Sequence, residues 1–179
     1  MKKKRYFILI VMLTVTGRET MSGCLHNQEA LTWTEVIRDI RNKYPDVKQL
    51  RTDELHSWLT DPKSESIILI DARAREEFCV SHITGARNLP YNKDPLKHLT
   101  DIKPDRPIVV YCSVGYRSSI LARKLQDIGF TNVYNLEGSI FKWANEDRPL
   151  VQNQTTVYKV HPYNAHWGRL LERKYHIEK

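Results

Sequence analysis

Cys112 closes the apolar, β-branched run Ile108-Val109-Val110-Tyr111 and opens the stretch Cys112-Ser113-Val114-Gly115-Tyr116-Arg117-Ser118. Apolar residues at helical spacing follow at once: Ile120, Leu121, Leu125 and Ile128. A thiol is thus expected at the carboxyl end of a buried strand, on a tight glycine-containing loop that runs into a helix. Open α/β sheets bind ligands at the carboxyl ends of their strands. The unpaired N–H groups and positive dipole end of a helix N-terminus favour a thiolate over a thiol. One short loop therefore supplies a nucleophile and a cradle for an anion. The loop amides from Ser113 to Ser118 are its donors, and Arg117 adds a fixed positive charge.

The elements that must hold this loop alternate along the chain. Ile67-Ile68-Leu69-Ile70 and Ile108 to Tyr111 read as strands buried on both faces. Ala86 to Leu89 and Asn132 to Asn135 read as further strands. Helices are expected over Arg73–Val80, Ser118–Ile128 (closed by Gly129) and Ser139–Glu146, with a helical turn within 94–100. This alternation predicts an α/β fold, with a parallel central sheet flanked by helices on both faces. Upstream, Trp33, Val36, Ile37, Ile40 and Tyr44 mark an amphipathic helix over 31–44. Thr32 and Glu35 stand at capping-box spacing, and Pro45 ends the helix. A second helix is expected from Asp53 to Leu59, capped by Thr52. Beyond 150, Val157 to Val160 reads as an edge strand and Gly168 to Tyr175 as a short helix. No internal repeat or low-complexity tract interrupts the pattern.

With 179 residues the chain suits one domain with flanking segments. Its formal net charge is +7, but residues 1–23 carry five basic residues against one acid, so more than half of the excess lies outside the domain. No Lys/Arg stripe interleaved with aromatics occurs, and nucleic acid is not an expected partner. There are three cysteines, at 24, 79 and 112, and no C-x-x-C pair. His161, His166 and His176 lack carboxylate or cysteine companions at ligand spacing, so neither a metal nor a cofactor is expected. Cys79 reads as a small buried hydrophobe.

The first residues read as an address. Lys2-Lys3-Lys4-Arg5 is a positive n-region, and Tyr6 to Val15 has the length of a signal-peptide core. Met21-Ser22-Gly23-Cys24 resembles a bacterial lipobox, which implies lipidation of Cys24. Met stands at the usual Leu position, and Arg18 and Glu19 interrupt the approach. Export without lipid and a soluble product from a later start are the alternatives. The expected division is therefore an address segment over 1–24, a helix and linker over 25–46, a domain over 47–150 and an extension over 151–179. The product is expected to be exported, membrane-anchored or periplasmic, and monomeric.

Five collinear blocks within 47–150 resemble the rhodanese (sulfurtransferase) family. They are Ile68-Leu69-Ile70-Asp71-Ala72-Arg73 followed by Glu76-Glu77-Phe78; Ser81-His82-Ile83-Thr84-Gly85-Ala86-Arg87-Asn88-Leu89-Pro90; the loop Cys112 to Ser118; Gly129-Phe130 with Val133; and Leu136-Glu137-Gly138-Ser139 with Trp143. Ser81 and Ser139 stand where the family more often has glycine. The resemblance implies a single rhodanese-like domain in which Cys112 carries a persulfide between a sulfur donor, small molecule or protein, and a thiol or other thiophilic acceptor. Ser113, Val114, Gly115, Tyr116 and Ser118 would bind substrate, and Asp71 and Arg73 would support them. Arg117 has two roles open to it: pairing with an anionic donor in the pocket, or folding back onto Asp71. His82 could serve as a base, although the family position is structural. Trp143 is expected in the core.

Four residues separate Cys112 from Arg117. Related cysteine phosphatases carry five, a wider cradle suited to tetrahedral phosphate. The shorter loop favours sulfur transfer over phosphate or arsenate chemistry. An idle sulfur- or redox-binding module is the other class of reading, and the intact loop argues against it.

Overall fold

The computed structural model describes residues 31–62 and 67–177. Strands β1 (Lys48–Leu50), β2 (Ile68–Asp71), β3 (Arg87–Asn88), β4 (Ile108–Tyr111) and β5 (Val133–Leu136) form one parallel sheet in the order β1-β5-β4-β2-β3. Helices α1 (Trp33–Lys43), α2 (Thr52–Thr60), α3 (Arg75–Val80), α4 (Tyr116–Asp127) and α5 (Ser139–Asn145) cover it. The fold is the expected α/β class, with helices on both faces.

β4 is the central strand, and the period of two along it divides the core. Val109 and Tyr111 join one apolar cluster with Val36 and Ile40 of α1, Leu55 of α2, and Ile140, Phe141 and Trp143 of α5. Ile108, Val110 and then Cys112 join the other, with Leu121, Ala122 and Leu125 of α4. Every residue of β4 is buried, which is why it reads as a continuous apolar run. The register sets Ile68 beside Ile108 and Asp71 beside Tyr111. The chain segments leaving β2 and β4 therefore emerge side by side at one end of the sheet.

Thr32 and Glu35 form the expected capping box on α1. Several expectations need correction. α2 begins at Thr52 with Arg51 as its N-cap, and the Thr52 hydroxyl instead donates to Glu146 at 2.9 Å. α4 begins at Tyr116, two residues before the expected start at Ser118. β1 has no sequence signal: its three residues, Lys-Gln-Leu, bury only the last. Cys79 is exposed, not buried.

The extension differs most. In place of an edge strand over 157–160, β6 (Leu150–Gln152) and β7 (Thr155–Val157) form an antiparallel hairpin. Its turn residues Asn153 and Gln154 have φ of 48° and 68°, the left-handed pair that matches the twist of two-residue hairpins. Two short 3-10 turns, Trp167–Leu170 and Arg173–Tyr175, replace the expected helix. The 94–100 turn is a 3-10 turn over Pro95–Lys97. The basic and apolar leader and Cys24 lie outside the described residues. Among the described residues no helix is long and apolar enough to cross a membrane.

Candidate active site

Cys112 follows β4 directly, and its side chain lies inside the turn that leads into α4. The Gly115 amide donates to Cys112 Sγ at 3.1 Å, and the Ser118 hydroxyl shares its one proton between Sγ at 3.4 Å and the Gly115 carbonyl at 3.1 Å. Gly115 has φ +125°, and a Cβ built there would stand 2.8 Å from Ile40 Cδ1 of α1. Only glycine permits both the turn and the close approach. Burial works against the thiolate of Cys112. The Arg117 charge, the Ser118 hydroxyl and the amides of Ser118 and Gly115 more than offset it, and the thiol is held below its ordinary value. Cys112 is 1% exposed. It is thus buried, but the polar hydrogens around it point at the sulfur.

The loop can turn its amides inward because its carbonyls are satisfied elsewhere. Ile140 and Phe141, in the first turn of α5, donate to the carbonyls of Cys112 and Ser113 at 3.2 and 3.1 Å. Ser139 Oγ accepts from the Cys112 amide at 3.1 Å and donates to the Leu136 carbonyl at 3.0 Å. Ser139 is therefore not a neutral stand-in for glycine. It ties the backbone of Cys112 to the end of β5, and sequence reasoning gave it no such role.

Arg117 does not fold back onto Asp71. It folds back, but onto Glu77 of α3: Nη1 and Nη2 donate to the carboxylate oxygens at 2.7 and 2.8 Å. Nη2 also donates to Ser113 Oγ, and Ser113 Oγ donates to Glu77 Oε1. Burial raises the Glu77 carboxyl, but Arg117 outweighs it and holds the group below its usual range. Burial opposes the Arg117 charge as well, and Glu77 and Cys112 keep it firmly protonated. Glu77, which the sequence placed in the Glu76-Glu77-Phe78 block without a role, is the partner that fixes Arg117 and Ser113. Forty positions separate it from Arg117, and only the β2–β4 pairing brings them together.

Asp71 is occupied by Arg73 instead. Both side chains are fully buried; Arg73 Nη2 donates to Asp71 Oδ2 at 2.7 Å and to the Ser81 carbonyl at 2.6 Å. Arg73 is thus an interior strut. His82 stacks on Phe78 at 3.9 Å between ring centroids, and its Nδ1 meets the Phe78 carbonyl. Its backbone pairs with Val151 of β6, so it is not aimed at Cys112 as a base. Val114 is buried and Tyr116 half-buried on the opposite side of the loop, in the cluster with α1 and α5. Trp143 is buried, with its indole N–H donating to the Pro149 carbonyl. Among the described residues no group of three or more His, Cys, Asp or Glu could hold a metal ion.

The site is a central parallel strand that ends in a thiol and an amide-lined turn that leads into a helix. The sequence matches the rhodanese-like domain family over residues 51–146, and the chain belongs to that family. A sulfurtransferase of Allochromatium vinosum is 32% identical over 105 residues, which span 59% of this chain and 95% of that protein. The adenylyltransferase and sulfurtransferase UBA4 of Meyerozyma guilliermondii is 34% identical over 87 residues, 44% of this chain and 20% of that protein. Among solved structures, a thiosulfate sulfurtransferase from Pseudomonas aeruginosa aligns with TM-score 0.57 and 22% identity. That alignment covers 69% of this chain and 23% of the other, and it supports the fold alone.

Proposed function

We propose that this chain transfers a sulfane sulfur through a Cys112 persulfide. The Cys112 thiolate attacks the outer sulfur of a donor such as thiosulfate. The donor S–S bond breaks, sulfite leaves with the electron pair, and the enzyme keeps one sulfur as Cys112–S–S⁻. An acceptor thiolate then attacks that terminal sulfur and regenerates the Cys112 thiolate. This is double displacement, and no external oxidant or reductant is needed. The amides and hydroxyl around Sγ would stabilise both the thiolate and the persulfide, as an oxyanion hole does for oxygen.

The observation that carries this reading is the pair of donors on Sγ, from Gly115 and Ser118, in a loop with four residues between thiol and arginine. The near-complete burial of Cys112 favours the second reading, a module that binds sulfur or senses redox state without turnover. Incubation with thiosulfate and cyanide separates them. Thiocyanate should accumulate, and intact mass should show one added sulfur that Cys112→Ser abolishes. Absence of both across thiosulfate, persulfide and mercapto-acid donors would favour the binding module. Phosphate release from an aryl phosphate would favour phosphatase chemistry.

We further propose that Cys24 is acylated and tethers the domain, as a monomer, to a membrane outside the cytoplasm. The lipobox-like segment supports this. Metabolic palmitate should label the full chain and not its Cys24→Ala variant.

A further inference from the structure

The residues after 146 lie outside the matched family domain, yet they pack on the catalytic loop. Val114 shares its apolar cluster with Val160, Leu170, Leu171 and Tyr175. Tyr116 meets the Trp167 ring at 5.4 Å between centroids. The Arg117 guanidinium lies 4.4 Å from the centroid of the Tyr163 ring, within cation–π range. Two loop residues, Tyr116 and Arg117, thus meet aromatic rings of the extension, and the second of these rings, Tyr163, lies in the 161–166 segment.

That segment is held to the rest of the extension at its ends, and its middle is exposed. At one end the Val160 amide donates to the Tyr175 carbonyl at 2.7 Å. At the other, Gly168 is buried against Pro162, and the His176 ring meets the Gly168 carbonyl at 3.1 Å. Residues 163–166 between them are exposed. Tyr163 has φ +63°, a left-handed conformation uncommon for a non-glycine residue. Its ring on Arg117 is the contact that draws the middle of the segment onto the site. Cys112 is 1% exposed, whereas Tyr163 is 45% exposed.

We propose that the 161–166 segment is a roof over the catalytic loop and that Tyr163 is its latch, a gating residue that must leave Arg117 before a donor or acceptor reaches Cys112. The hydrogen bonds of 161–166 run within the extension, from Tyr163 to His161 and from Trp167 and Gly168 to Asn164, so the segment can lift as a unit once Tyr163 leaves Arg117, and exposed regions of this kind open locally far below the cost of global unfolding. Lifting would also uncover the outer face of Arg117, which the Tyr163 ring occupies when the roof is down. The roof thereby selects by size and by the ability to displace an aromatic ring from a guanidinium.

Alkylation of Cys112 in the full chain tests this, followed residue by residue by mass mapping so that Cys79 serves as the exposed reference. Reaction through a minor open state scales with the open fraction. Loss of one cation–π contact in Tyr163→Ala is expected to raise the Cys112 rate with iodoacetamide about tenfold, and more with a bulky maleimide. The Cys79 rate and the pH midpoint of Cys112 alkylation should stay in place. Tyr163→Phe, which keeps the ring, should react like wild type. An unchanged Cys112 rate in Tyr163→Ala would overturn the latch. So would a rise explained by a shifted midpoint, or a Tyr163→Phe rate equal to that of Tyr163→Ala. The latch rests on the sulfur-transfer reading only for what it guards. Alkylation needs no turnover, so a chain that never loads sulfur but shows the expected alkylation pattern would defeat that reading and leave the latch standing.

Discussion

Cys112 concentrates the residue-scale physics, because burial and hydrogen bonding pull its proton affinity in opposite directions. Burial raises the thiol; Arg117, Ser118 and Gly115 lower it, and the net direction is down. A thiol whose folded value lies below its unfolded value contributes stability that is fully present above the unfolded value, about 8.5. That contribution is lost as pH falls through the folded value. Alkylation of Cys112 should therefore titrate with a midpoint below that of a cysteine in a short peptide. Arg117→Gln should move the midpoint up, as read from the pH–rate profile. Ser139 acts on the same residue through the backbone. Ser139→Ala removes the acceptor of the buried Cys112 amide and should cost about 1–3 kcal/mol, measured as a lower urea midpoint with unchanged slope.

At the scale of elements, the site is a junction of helix ends. The first turn of α4 aims at the sulfur, and the first turn of α5 takes the carbonyls of the same loop. α1 presses Ile40 against the turn from behind. Gly115→Ala would require an L-residue at φ +125° and a Cβ 2.8 Å from Ile40 Cδ1. Strain of this kind costs about 1–3 kcal/mol. Thermal unfolding should shift down, and the Cys112 midpoint should rise because the Gly115 amide is displaced from Sγ. α3 contributes through Glu77. Glu77→Ala leaves Arg117, whose side chain is 15% exposed, without its carboxylate. Breaking one side of a buried pair costs about 3–5 kcal/mol. Partial solvation of Arg117 puts this variant at or below the lower end in a urea titration.

At the scale of the molecule, the family domain does not close its own core. Leu150, Val160, Leu170, Leu171 and Tyr175 of the extension are all buried in the cluster that holds α1, α2 and α5. Full burial of one such side chain stabilises by about 1.5–3 kcal/mol, against a typical net stability of about 5–15 kcal/mol. A chain ending at residue 146 should therefore unfold or aggregate at temperatures where the full chain is native, as read by circular dichroism and light scattering. Val36 and Ile40 of α1 carry the same argument at the other end of the chain.

Contiguous runs were legible in the sequence because burial on both faces leaves an unbroken apolar stretch. Ile108 to Tyr111 therefore gave β4, and the turn after it could be placed with its cysteine, glycine and arginine in order. The parallel α/β class, α1 with its capping box and the sulfurtransferase family followed from similar local patterns. β1 was illegible because three residues with one buried side chain have no period. Long-range pairing was illegible for a different reason. Whether Arg117 meets Asp71 or Glu77 depends on the order of strands and on Arg73 filling the Asp71 carboxylate first. The packing of Tyr163 and Trp167 on the loop after β4 depends on the path of an extension with no regular periodicity. Local sequence determines what each segment becomes; which charges pair and what covers the sulfur are decided only when distant segments compete for the same space.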